Sequence, residues 1–258
     1  MLSRNKRTAK LLNQLAPARG VYETFEEARR VSEALALGGH EDPSLSENHS
    51  RTLRESDYPV LHWLRTIGAR RILDFGGSIG SLYYLYQNRL TPLPQEWLVC
   101  DLPCVAARGE ELAVSRAACN LRFTSVLAEG SHCDVLLASG ALHFWPKPVS
   151  CLFDEIGALA PHVIINRSPL TERASYAMVH GLPKIAVPAW VRNSRELIAE
   201  MEALGYTLID RWLEPSRSLS FPLFPEHTVS AFSGLYFRRN SSHSRQEEIW
   251  VERERVGA

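Results

Sequence analysis

The chain has 258 residues, 45% of them hydrophobic and 22% charged, enough apolar material for one large globular domain or one domain with a helical appendage. Lys+Arg and Asp+Glu balance at 29 each, so no bulk charge favours nucleic acid or a membrane surface, and no apolar run reaches the roughly 18–20 residues needed to span a bilayer. Five cysteines (Cys100, Cys104, Cys119, Cys133, Cys151) with no C-x-x-C pair argue against a metal site and read as reduced thiols of a cytoplasmic protein.

The amino terminus, MLSRNKRTAKLLNQLAPARG, is basic, and its apolar part is too short for a secretory signal. In TFEEARRVSEALAL, Thr24 is an N-cap, Phe25, Ala28, Val31 and Leu35 recur at helical spacing, and Gly38-Gly39 stop the helix. After the polar stretch HEDPSLSENHS, YPVLHWLRTIGA reads as a second helix ending near Gly68. From residue 71 the pattern changes. RRILDF, EWLVCDL, LRFTSVL, CDVLLASGAL, HVIINRS and YTLIDRWL read as strands, with SLYYLYQNRL, PCVAARGEELAVSR, SCLFDEIGALA and SRELIAEMEALG as helices between them. Such alternation predicts a parallel sheet with helices on both faces. HTVSAFSGLYFRR follows YTLIDRWL without an intervening helix, so it is expected to enter the sheet antiparallel. NRSPLTERASYAMVHGLPKIAVPAW, between HVIINRS and SRELIAEMEALG, is expected to be a long irregular insertion placed as a substrate lid. The tail, RNSSHSRQEEIWVERERVGA, is charged with few apolar anchors.

The most informative stretch is RILDFGGSIGSLYYLY, where a buried strand ends in Asp74 and then carries Gly76, Gly77 and Gly80. Glycine there serves unusual backbone angles or close approach of a ligand, and ligands of open parallel sheets sit at the carboxyl ends of the strands. A dinucleotide fingerprint from Gly76 would need glycines where Ser78 and Ser81 stand, and a phosphate loop would need a Gly-Lys-Ser/Thr ending; both fail. Asp74-x-Gly76-x-Ser78-x-Gly80 resembles the first motif of class I S-adenosylmethionine-dependent methyltransferases, with serine at the middle glycine.

That resemblance implies an α/β fold: a Rossmann-like class I methyltransferase sheet, mostly parallel with the last strand antiparallel, behind an N-terminal helical cap. It implies domains at 1–69 (the cap), 70–240 (the S-adenosylmethionine-binding domain) and 241–258 (the charged tail). Asp74, Gly76, Gly77, Ser78 and Gly80 are then the cofactor loop, with the methionine carboxylate near the following helix amino terminus. Asp101, closing the next strand, is placed for the two ribose hydroxyls, or it is a turn residue before Pro103. Leu102 can cover the adenine, and Ser139 and Gly140 complete the cofactor side.

GVYETFEEA, LDFGGSIGSLYY, LLASGALHFWPKP and IINRSPLTE are together similar to landmarks of a bacterial methyltransferase group found in surface-polysaccharide and natural-product gene clusters. The group implies the cofactor more firmly than the acceptor. In SGALHFW, His143 faces the transferable methyl as a base or an orienter, or it is structural; Trp145 is an aromatic wall or core. Arg167 is a bidentate donor for an acceptor anion or a surface residue paired to Glu172, with Tyr176 and His180 behind it as catalytic candidates. Tyr22, His49 and Tyr58 are the candidate substrate contacts of the cap.

The expected activity is methylation of a small-molecule acceptor, at a hydroxyl or carboxylate oxygen, with a homodimer left open. The alternative is a non-catalytic binding module on the same fold. Neither a basic stripe nor an N-P-P-Y or D-P-P-Y sequence supports a nucleic-acid substrate.

Overall fold

The computed structural model describes residues 18–41, 52–182, 185–221 and 223–240. His49 and the charged tail 241–258 lie outside the described residues. The main sheet is built on β2 (Arg71–Phe75), which pairs in parallel with β3 (Glu96–Cys100) on one side and β5 (Val135–Ser139) on the other. Outward from these stand β4 (Leu121–Thr124) beside β3 and β6 (His162–Ser168) beside β5, both parallel. β11 (Phe232–Arg239) runs antiparallel between β6 and β10 (Tyr206–Glu214). The order is β10-β11-β6-β5-β2-β3-β4, so the chain reverses its direction of winding between β2 and β5.

These strands carry near-continuous apolar runs because both faces are covered. Leu136, Ala138, Val163 and Ile165 pack on one side with α5 (Val149–Ile156) and α6 (Ser194–Ala203). Ile72, Val135, Leu137 and Ile164 pack on the other with α2 (Asp57–Ile67) and α3 (Ser81–Tyr86). Ala113 of α4 (Pro103–Ser115) joins that second face. The α2 helix ends where the glycine signal places it, with Gly68 left-handed at φ +66°. No helix of the described residues is long and apolar enough to cross a membrane.

The segment expected to be irregular forms a second sheet instead. β1 (Ala18–Tyr22), β8 (Tyr176–Leu182), β9 (Ile185–Asn193) and β7 (Leu170–Thr171) pair in that order. The first described residues of the cap are therefore a strand. β1 runs antiparallel to β8, with Ala18 opposite His180. α1 (Phe25–Ala34) crosses β8 and β9, burying Ala28 and Leu35 against Ala177, Val179 and Ala186. Its start is secured by Thr24, whose side chain accepts from Glu27 N at 3.2 Å.

Candidate functional site

The turn after β2 is shaped by Gly76 and Gly80, at φ +67° and +82°, with Ser78 between them at φ +56°. That left-handed conformation costs a residue bearing a Cβ about 1–2 kcal/mol, and the next strand supplies the compensation. Gly76 N donates to the Cys100 carbonyl at 2.8 Å, and Ser78 N donates to Asp101 Oδ2 at 2.8 Å. Leu102 N donates to Asp101 Oδ1 at 2.7 Å. Each oxygen of this carboxylate has one backbone partner and a lone pair left over.

At the end of β5, Gly140 is left-handed at φ +74° and faces open space: a Cβ there would meet nothing within 4 Å. Its N–H donates to the Asn166 carbonyl at 2.8 Å, and Asn166 Nδ2 donates to Ser139 Oγ at 3.1 Å. Residues 75–78, 101–102 and 139–140 all reach solvent, and Leu102 is 38% exposed. The solvent-reaching carboxyl ends of β5, β2 and β3 lie side by side at the reversal of winding, the cleft position where such sheets bind ligands.

Two expectations for this loop change. Asp74 does not face the cleft. It is 1% exposed, accepts the Trp97 indole N–H at 3.0 Å, and lies so close under Gly77 that a Cβ there would stand 2.5 Å from its carboxyl. It props the loop from below. Gly80 is likewise packed from beneath, since a Cβ would come 2.8 Å from Leu121 Cδ2 and 3.2 Å from Phe123 Cζ. Valine at Gly80 would damage the packing of α3 on β4, so Asp101 is the cleaner probe.

Beyond Gly140 a 3-10 turn, Leu142–Phe144, buries His143. Its ring lies 4.0 Å from Phe144, 6.1 Å from His180 and 6.2 Å from Phe232, centroid to centroid. Phe144 also meets His180 at 5.8 Å and His40 at 4.4 Å. Three histidines from three distant segments thus surround one phenylalanine. Nδ1 of His143, Nδ1 of His180 and Nε2 of His40 are buried with no hydrogen-bond partner among the described residues.

Burial first, then His180, His40, Arg217 and Arg192, hold the proton affinity of His143 well below the usual imidazole range. Burial, with Arg217 and His40 behind it, pushes His180 down to about 4. His40 is lowered by burial and partly restored by Asp101 and Glu41. All three rings are neutral at neutral pH.

His40 escaped the sequence reading because Gly38-Gly39 served there only as a helix stop. The same glycines let the chain pass along β9, where Ala186 N donates to Gly38 O at 3.2 Å and delivers the ring. Trp145 is brought to the cleft edge, its ring 5.8 Å from Phe75, with its N–H on the Pro148 carbonyl at 3.0 Å.

The remaining candidates lie elsewhere. Arg167, left-handed at φ +52°, gives its guanidinium to the fully buried Asp57, not to Glu172, which pairs with Arg195 and Arg211. Asp57 also accepts from Tyr86 Oη at 2.5 Å. Tyr176 is buried among Phe221 and its neighbours, donating to the His227 carbonyl at 2.6 Å. Tyr22 folds back over Gly20 and packs on the second sheet. Tyr58 is 60% exposed and lines a cavity of about 460 Å³ with Leu53, Leu61, His62, Arg65 and Arg89. That cavity shares no residue with the glycine turn or the histidines. Among the described residues no group of His, Cys, Asp and Glu could hold a metal ion.

No protein-family model and no curated protein sequence matches the chain. Among solved structures the fold is similar to the 1,6-didemethyltoxoflavin-N1-methyltransferase of Burkholderia thailandensis, solved with 1,6-didemethyltoxoflavin and S-adenosylhomocysteine bound. The TM-score is 0.52 at 18% identity, over 78% of this chain and 84% of that one. It is also similar to the magnesium protoporphyrin IX methyltransferase of Synechocystis PCC 6803 with bound S-adenosylmethionine, at TM-score 0.50 and 16% identity, over 71% of this chain and 77% of that one. At these identities the similarity establishes a class I methyltransferase fold.

Proposed function

We propose that the protein is an S-adenosylmethionine-dependent methyltransferase of a small-molecule acceptor, with transfer to a hydroxyl or carboxylate oxygen. The observation that carries this reading is Asp101. Its carboxylate is fixed by Ser78 N and Leu102 N, at the carboxyl end of β3, with one lone pair free on each oxygen. That is the chemistry required to accept both hydroxyls of a ribose. The two structural neighbours, solved with the donor or its demethylated product bound, support the same reading.

The residues present fit the donor. Leu102 offers an exposed apolar side chain for the adenine, the 76–78 backbone a solvent-facing turn, and Gly140 an open floor that any Cβ would narrow. When bound, S-adenosylmethionine supplies an electrophilic methyl on a sulfonium. The chain's part is to hold the acceptor oxygen in line with that methyl and to exclude water. His143, neutral and buried with Nδ1 unpaired, orients the acceptor through one hydrogen bond. Where the acceptor is a hydroxyl, that nitrogen can also take its proton. Five free cysteines suit a reducing, cytoplasmic setting.

Calorimetric titration with S-adenosylhomocysteine tests this. Asp101→Ala removes two charge-assisted bonds to the ribose, an expected loss of about 2–3 kcal/mol, or roughly 30- to 150-fold in affinity. A loss below about tenfold would make Asp101 a turn residue only.

A further inference from the structure

We infer that Arg192, helped by Trp190, is a positioning residue for the acceptor side of this site: it holds the carbonyls of the 145–147 segment and so fixes the turn that carries His143. The inference deepens the methyltransferase reading and rests on it. His143 lies in the 3-10 turn Leu142–Phe144, which Phe144 N closes on the Ala141 carbonyl at 2.9 Å and Trp145 N on the Leu142 carbonyl at 3.1 Å. The chain then reads Trp145-Pro146-Lys147-Pro148, and its two prolines bring no backbone N–H. Such a segment must find donors for its carbonyls elsewhere. All four carbonyls are taken by side chains. Arg192 Nη2 donates to the Trp145 carbonyl and to the Lys147 carbonyl, both at 2.8 Å. Trp190 Nε1 donates to the Pro146 carbonyl at 3.1 Å, and the indole of Trp145 closes on the Pro148 carbonyl.

Arg192 and Trp190 stand two apart on β9, so both reach the same side of the strand, while Val191 between them is buried in the packing on the other side. Trp190 also meets Phe25 of α1, ring centroids 5.9 Å apart. The second sheet and the N-terminal helix thus grip the segment that follows His143 and that sets the Trp145 ring against Phe75. The grip has a cost. Among the described residues Arg192 bonds only to neutral carbonyls and forms no ion pair, and its Nε is buried without a partner. A guanidinium so placed is poorly compensated for the water it has lost. What it supplies is geometry, a rigid planar donor that ties two carbonyls on either side of Pro146 to one point of β9. A hydrogen bond from His143 to an acceptor oxygen is useful only when the ring is held in line with the methyl, and this turn is what holds it.

The test uses S-adenosylhomocysteine as the probe and reads three things: its calorimetric affinity, the ring signals of His143, and amide exchange over 141–147. In the wild type, saturation with S-adenosylhomocysteine should shift the His143 signals, because that ring follows Gly140 by three residues. Arg192→Met removes both bonds from the guanidinium. It should leave the affinity within about threefold, since Asp101 and Leu102 are untouched, while exchange over 141–147 quickens about tenfold or more. The His143 shift on saturation should largely disappear. Trp190→Phe removes one neutral bond to the same segment and should move both readouts the same way by less. A charge acting on His143 from a distance would leave Trp190→Phe silent, and that result would overturn the proposal. So would wild-type exchange in Arg192→Met, or faster exchange with the His143 response intact, which would make Arg192 a structural prop. If Arg192→Met lacks a native spectrum, Trp190→Phe alone decides. A wild type that binds no S-adenosylhomocysteine would sink the methyltransferase reading, and the exchange rates would still decide the grip of β9 on the segment. A wild type that binds it with His143 unmoved would sink the positioning role and leave that reading standing.

Discussion

Asp74, next to last in β2, carries a carboxyl that solvent does not reach, capped by Gly77 and bonded to the indole of Trp97. Burial raises its pKa from the usual carboxylate range to about 7, with the Trp97 bond opposing and Asp101 adding to the rise. In the unfolded chain the same group loses its proton near pH 4. Between about pH 4 and 7 the native state therefore holds a proton that the unfolded state has lost, and this group's contribution to stability falls as pH rises. Asp74→Asn removes the effect while leaving an oxygen for Trp97. The stability difference between variant and wild type, from urea unfolding at a series of pH values, should grow in the variant's favour from pH 4 to 7 and then level off. The lowered histidines act with the opposite sign but are common to both proteins and cancel. A difference independent of pH would contradict the buried, protonated state. Both acids at strand ends were legible in the sequence; which one faces the ligand was not. Asp74 shares a strand face with Ile72, on the side packed by Trp97, and only the sheet register reveals that.

At the scale of the element, the β8–β9 hairpin departs most from the sequence reading. Its alternation is hidden because both faces of β8 are covered: Tyr176 and Met178 pack with Phe221 and Phe232, while Ala177 and Val179 pack under α1. A strand buried on two faces shows a continuous apolar run, and the sequence Gly-Leu-Pro-Lys and Pro188 read as loop punctuation. Pro188 is tolerated because β7 pairs only with Arg192 and Asn193, so that edge of β9 is free at the proline among the described residues. Val179, 0% exposed, distinguishes a packed sheet from a lid. Val179→Asp would bury a carboxyl beneath α1 and should cost more than about 3 kcal/mol, read as a large drop in melting temperature. An unchanged melting temperature would return the segment to the loop that its punctuation suggests.

For the whole molecule, the six strands, their helices and the reversed last strand follow from apolar runs, helical spacing and a missing crossover helix. The helix-rich fold around the glycine turn was therefore open to reading from RILDFGGSIG onward. What the sequence could not give is convergence. His40, His143 and His180 meet around Phe144 only because β8 carries His180 and β9 bridges Gly38, just ahead of His40. The 54–57 turn meets the 214–217 turn through the bond of Ser56 to Glu214. Long-range pairings of this kind leave no periodic mark on the chain. The central claim is that the donor lies at the carboxyl ends of β2, β3 and β5, and not in the cavity beside Tyr58 and Arg65. Hydrogen exchange with and without S-adenosylhomocysteine decides it. The account predicts added protection in peptides covering 74–84, 100–106 and 138–145, with none specific to 57–67; protection confined to 57–67 and Arg89, or none anywhere, would contradict it.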